Sequence, residues 1–151
     1  LVGSEMCIRD STEYDPSAFD CLLFPGGFGG AKNLSDFAVK RTDGQVLDSV
    51  QHAVRSTHAL GKPIGFICIT PASVGALTLG GDGVALTIGN DQETASAIEA
   101  LGAKHQDCSV ENVVIDHANR IVSTPAYMLG PGVKDVRTGI AKLVKQVLSM
   151  T

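Results

Sequence analysis

The chain contains no tryptophan, and its two tyrosines and five phenylalanines are only 5% of its 151 residues. A core so poor in aromatics must be aliphatic and must admit close backbone approach at glycine, as buried parallel sheets do. No run of about eighteen apolar residues occurs, which excludes a membrane-spanning helix. Positive charge is in deficit as well: 12 Lys and Arg against 16 Asp and Glu give a net charge of −4. That balance lacks the basic footprint of a nucleic-acid binder. Neither nucleic acid nor a membrane is therefore an expected partner. The four cysteines, Cys7, Cys21, Cys68 and Cys108, form no CxxC pair and no regular framework. They read as free thiols in a reducing compartment. No Cys/His group has zinc spacing, so no metal site is expected, and no secretory signal is visible.

Apolar residues make up 44% of the chain, and the mean hydropathy is +0.16. That is ample for one packed domain and too apolar for disorder. Residues 1–11, "LVGSEMCIRDS", share no periodicity with the rest of the chain. They resemble the read-through of a sequencing adapter, so a non-native leader is expected there. The expected domain is a single partial one over residues 12–151.

Ala18 to Phe24 is a short apolar run ended by Pro25-Gly26-Gly27, which predicts a buried parallel strand. A turn at Thr42-Asp43-Gly44 precedes a helical stripe over Gln45–Leu60: Val46, Leu47, Val50, Val54 and Leu60. Gly61-Lys62-Pro63 stops that helix, and Ile64 to Ile67 reads as a second buried strand. Pro71 suits a helix start, where its missing N–H costs nothing. Val84 to Ile88 is a predicted third strand. Asp91 is placed as an N-cap, with a helix over Gln92–Leu101 and Gly102 as its C-cap. Val113–Ile115 and Ile121–Ser123 flank "DHANR", a hairpin signal. Val133, Val136, Ile140, Leu143, Val144 and Val147 share one face of a last helix. Strands alternating with helices imply a mostly parallel sheet with helices on both faces. Sites in such sheets lie beyond the carboxyl ends of the strands. Four corners qualify: Pro25 to Gly30, Cys68 to Pro71, Gly89 to Asp91, and Thr124 to Tyr127.

The first corner, "PGGFGGAKN", looks like a phosphate cradle, but the spacing rejects it. A P-loop needs Gly before its lysine and Ser or Thr after it, whereas Ala31 and Asn33 flank Lys32. A dinucleotide fingerprint would need glycine where Lys32 stands. In the second corner, Cys68 directly follows an apolar strand and precedes a helix start, the order of a nucleophile elbow. A strand cysteine is far more often a small core hydrophobe. At a helix N-terminus, however, partial positive charge and free N–H groups favour the thiolate. Consecutive parallel strands are often neighbours, so Gly26-Gly27 would lie beside Cys68. Attack on a carbonyl creates an oxyanion that needs backbone donors. The N–H groups of Gly26 or Gly27 and of Ile69 would supply them. Thr70, Asn90, Thr124 and Tyr127 are the expected pocket-lining residues.

The stretches "FPGGFGGAKNLSDFA", "GKPIGFICITPA", "LTIGND", "ALGAKH" and "TPAYM" stand in an order and spacing that resembles one family. It is that of the ElbB-type isoprenoid-biosynthesis proteins with an amidotransferase-like domain. These belong to the class I glutamine amidotransferase-like, ThiJ/PfpI superfamily. The resemblance covers nearly all of the chain after Ser11. It implies a flavodoxin-like three-layer α/β/α sandwich, here incomplete because the first strand–helix units are missing. It also implies a nucleophile at Cys68 and a cofactor-independent glyoxalase that converts glyoxal-type dicarbonyls to hydroxy acids, or a deglycase. The implied partners are a small dicarbonyl substrate and, for the full-length parent, a homodimer. The implied location is the cytoplasm, or a mitochondrion if the source is eukaryotic. Two departures stand out. Thr70 replaces an alanine common in the family and adds a hydroxyl near the thiol. The family's acidic partner of the cysteine lies in an N-terminal segment that has no counterpart here, and Glu5 is too close to Pro25 to take the role. Without that segment, Phe19 to Phe24 would form an exposed apolar edge, and the chain alone would be unstable or inactive.

Other classes remain open. Cys68 could serve a non-catalytic redox sensor, oxidised to sulfenic acid and beyond, or the chain could be an amidotransferase-like partner domain. A glutaminase needs a histidine base oriented by an acid. His52 and His58 lie on one predicted helix, His105 follows a helix cap, and His117 sits in the hairpin turn. All four read as surface residues.

Overall fold

A computed structural model describes residues 14–130 and 132–151. The expected leader, with Glu5 and Cys7, lies outside the described residues. Among the described residues the strands are β1 Leu22–Phe24, β2 Ile64–Ile67, β3 Ala85–Leu86, β4 Lys104–His105, β5 Val114–Asp116 and β6 Ile121–Thr124. The helices are α1 Phe28–Asn33, α2 Phe37–Lys40, α3 Asp48–Ala59, α4 Leu77–Leu79, α5 Gln92–Ala100 and α6 Val133–Leu148. A π-helical segment, Pro71–Ala76, runs directly into α4.

The main sheet has the order β1-β2-β6-β5. Strands β1, β2 and β6 are parallel, and β5 returns antiparallel through the hairpin expected around "DHANR". Every residue of β2 is buried, as its unbroken apolar run requires. Alternate side chains feed two cores. Ile64 and Phe66 enter one with Phe24, Val50, Val54 and Ile121. Ile67 enters the other with Val122, Val136, Leu143 and Val147. Burying such a side chain contributes about 1.5–3 kcal/mol, so β2 anchors both layers at once. Gly65 is the seam: a Cβ there would lie 2.4 Å from Leu23 Cδ2, 2.9 Å from Leu143 Cδ2 and 3.2 Å from Val147 Cγ2.

The helix stripes are narrower than expected. α3 begins at Asp48 and buries Val50, Ala53, Val54 and Thr57. Leu47 and Leu60 fall outside it and are exposed. Val46 is buried instead through a bridge to Ser35. Val133, at the first position of α6, is exposed too. Terminal residues of a periodic pattern lie past the core that the helix covers.

The expected third strand does not join the main sheet. Ala85–Leu86 pairs in parallel with Lys104–His105 as a separate two-stranded sheet. Side chains replace the missing ladder. The Ala85 N–H donates to Asp116 Oδ2 at 2.8 Å, and the Thr87 N–H to Ser123 Oγ at 2.9 Å. These bonds tie β3 to β5 and β6 without a shared strand register. Among the described residues no helix is long and apolar enough to cross a membrane.

Candidate active site

Strands β1, β2 and β6 run the same way, so their carboxyl ends meet on one side. Cys68 follows β2 directly and adopts φ +64°, a left-handed conformation that only glycine takes freely. The half-buried cysteine is followed by Ile69, Thr70 and the proline-led π-helical segment. A strained residue between a strand and a helix is the geometry that lifts a nucleophile out of the chain. The segment's π-helical form is itself one that recurs at functional sites.

Gly26 lies against this elbow. Its φ is +88°, and a Cβ there would lie 2.5 Å from Ile67 O and 2.7 Å from Cys68 Cβ. Only glycine permits that approach. Gly27, at φ +85°, caps α1 and has open space around it. The Cys68 N–H donates to Thr124 O at 3.0 Å, so it is already used. Among the described residues, the N–H groups of Gly26, Gly27 and Ile69 donate to no carbonyl.

The other corners connect to this pair. Thr124 ends β6 and is fully buried, its hydroxyl donating to Asn112 O at 2.8 Å. Gly89, at φ +104°, sits over Leu129, whose side chain would lie 2.6 Å from a Cβ there. The carboxyl-end corners Gly26, Cys68 and Thr124 therefore follow one another across the main sheet, and the Gly89 turn lies outside it against Leu129. Thr70 is buried beneath the elbow. Asn90 is exposed and lines a groove of about 540 Å³ with Asp107, Cys108, Ser109, Val110 and Leu129. Tyr127 is 61% exposed and lines a separate apolar groove of about 300 Å³ with Val133, Val136 and Ile140.

Asp91 caps α5, its carboxylate accepting from the Thr94 N–H at 2.9 Å. The Thr94 side chain and then its N–H, with the Arg41 charge as a lesser influence, hold its carboxyl below the usual range.

The histidines do not gather at the elbow. His58 lies near the end of α3, before β2 begins, and His117 lies in the turn before β6. Both are at the opposite end of the sheet from Cys68. His105 corrects the expectation of a surface role. Its side chain is only 5% exposed, with Nδ1 3.8 Å from Asp107 Oδ1. Burial pushes its imidazole below the ordinary range, against the pull of Asp107 and Glu99. Among the described residues, Sγ of Cys68 makes no hydrogen bond, and no His, Cys, Asp and Glu cluster has the makings of a metal site.

The sequence did not reveal two parts of this geometry: the carbonyl that occupies the Cys68 N–H, and the extra backbone strain at Ala126, with φ +47°. Its position directly after Pro125 and a strand end was the only available signal.

No protein-family model matches the chain. It is 34% identical to an isoprenoid biosynthesis protein with an amidotransferase-like domain from Ehrlichia chaffeensis. The two structures superpose with a TM-score of 0.83 over 100% of this chain and 70% of that one. The chain belongs to the ElbB-type amidotransferase-like family. The flavodoxin-like fold comes with that membership. The chain is also 39% identical over 153 aligned residues to human glutamine amidotransferase-like class 1 domain-containing protein 3, mitochondrial. It is 40% identical to the rat ES1 protein homolog, mitochondrial. Each alignment covers 95% of this chain, which spans 56% of the length of either relative.

Proposed function

We propose that this family member is a cofactor-independent, cysteine-dependent glyoxalase acting on glyoxal-type dicarbonyls, with Cys68 as nucleophile. The observation that carries the reading is Cys68 itself, held at φ +64° beyond β2 with Gly26 packed against it. The thiolate sulfur adds to one aldehyde carbon, and the carbonyl electron pair moves onto oxygen. The Ile69 N–H and that of Gly26 or Gly27 hold this oxyanion as a hemithioacetal. Transfer of the carbon-bound proton to the neighbouring carbon yields a glycolyl thioester. Water then releases glycolate and restores the thiol. Glyoxal plus one water gives one glycolic acid. One carbon is oxidised and its neighbour reduced, so no outside oxidant enters. The acidic residue that the resemblance implies for the family would hydrogen-bond the Cys68 thiol. The names of the human and rat relatives support a mitochondrial location for the whole protein.

The test is glyoxal consumption by the protein expressed at the full length of its gene, against Cys68→Ala. Loss of turnover in the variant is the expected result. Equal rates would sink the proposal. A second reading, a redox sensor, is favoured by the free, half-buried Cys68 thiol, which is partly open to solvent. Oxidation of Cys68 at low peroxide without any dicarbonyl turnover would establish it.

A further inference from the structure

We infer that Thr70 is a positioning residue of the Cys68 site, one buried side chain clamping the glycine loop to the strand that carries the nucleophile. The inference rests on the reading of Cys68 as a nucleophile. Thr70 is 1% exposed. Its Oγ1 accepts from the Ile67 N–H at 3.0 Å. Its single hydroxyl proton has two carbonyls in reach, Ile67 O at 2.9 Å and Phe24 O at 3.3 Å. Ile67 is the residue before Cys68, and Phe24 is the last residue of β1 before the glycine loop. One hydroxyl thus joins the ends of both strands where their ladder stops. The methyl group acts on the far side of the same loop. A Cβ on Gly30 would lie 3.0 Å from Thr70 Cγ2, so α1 sits directly on this side chain.

Phe24 and Gly30 bracket Gly26 and Gly27, while Ile67 and Thr70 bracket Cys68. Thr70 therefore touches the chain on both sides of each half of the proposed oxyanion hole. Packing alone would be satisfied by valine, which has nearly the same shape. The hydroxyl is what valine lacks, and its removal deletes the bonds it makes to Ile67 and to the Phe24 carbonyl, leaving the β1 end held there only by the last rung of the β1–β2 ladder. The glycine loop then moves relative to Cys68, and the backbone N–H groups beside its sulfur lose their alignment.

The experiment measures the rate of Cys68 alkylation by iodoacetamide against pH, with thermal unfolding in parallel, on the protein at the full length of its gene. In Thr70→Val the pH of half-maximal alkylation is expected to rise by about half a unit or more, which slows alkylation at neutral pH by about threefold. Thr70→Ser, which keeps the hydroxyl, is expected to restore the wild-type profile. Gly30→Ala presses on the clamp from the α1 side and is expected to move the profile in the same direction. A folded Thr70→Val protein with the wild-type profile overturns the inference, even if it is less stable, because Thr70 would then be an ordinary core threonine. A shift that Thr70→Ser fails to reverse overturns it as well. If Thr70→Val does not fold, Gly30→Ala decides: an unchanged profile overturns the clamp. No dicarbonyl enters this measurement, so a failure of glyoxal turnover leaves its outcome intact.

Discussion

Gly26 and Cys68 occupy neighbouring strand ends so closely that a side chain on the first would lie 2.7 Å from Cβ of the second. Both residues have positive φ. The site is therefore a contact between two strained turns, each held by its own strand. It separates the two reasons for glycine in this loop. Gly26 needs both the conformation and the space, whereas Gly27 needs only the conformation. Gly26→Ala is expected to lose more than about 2 kcal/mol of stability, since left-handed strain adds to a backbone clash. Gly27→Ala is expected to lose about 1 kcal/mol. Urea unfolding of both variants checks the order, and equal losses would refute the close approach as a cause.

Stability should fall on acidification in two stages. His105 is held low by burial, so below about pH 6.5 the unfolded chain takes up a proton that the folded chain refuses. The contribution is complete above that value and is lost as pH drops through it. Burial raises the Asp116 carboxyl, but the Ala85, Asn119 and Ala118 hydrogen bonds together outweigh it and leave it low. Its contribution is present above about pH 4 and is lost below, as the unfolded chain binds its proton first. Melting temperatures across this range should show His105→Gln flattening the upper stage. Asp116→Asn should reduce the lower stage without abolishing it, because the Asp36 and Asp91 carboxyls are also held low.

Asp91 acts as a helix cap. Asp91→Ala should cost about 1 kcal/mol, and Asp91→Asn or Asp91→Ser much less, because either can still accept from the Thr94 N–H. Alkylation of Cys68 should be unaffected in all three. A large loss of Cys68 reactivity in Asp91→Asn would contradict the capping role.

β1 is the edge of the main sheet among the described residues, and Leu23 on it is 36% exposed. Apolar edges recruit other strands. The 151-residue chain is expected to self-associate in light scattering, and Leu23→Lys to reduce that association. Unchanged scattering in the variant would show that the edge is already covered.

The motifs legible in the sequence were those whose cause is local. Pro25-Gly26-Gly27 ends a strand, Gly61 at φ +65° ends α3, and Asp91 caps α5, each through the residue's own chemistry. The hairpin around "DHANR" and the span of α6 followed from turn residues and periodicity. His105 was misread because burial of a polar ring depends on what packs over it from elsewhere. The strand at Ala85–Leu86 was recognised but assigned to the wrong sheet, since an apolar run does not name its neighbour.

Composition and order alone determined that this chain builds a parallel α/β sheet and sets a cysteine directly between a strand and a helix. Period-two and period-3.6 patterns and the special backbone of Gly and Pro act over a few residues, and they act before any fold exists. The neighbour rule for consecutive parallel strands also set Gly26 beside Cys68, and tertiary structure alone decided that Thr124 takes the Cys68 N–H and that Thr70 joins Phe24 to Ile67. Phe24 and Thr70 are 46 residues apart. Only the pairing of β1 with β2 brings them within reach, because hydrogen bonds act over about 3 Å and the register of strands sets which groups come that close.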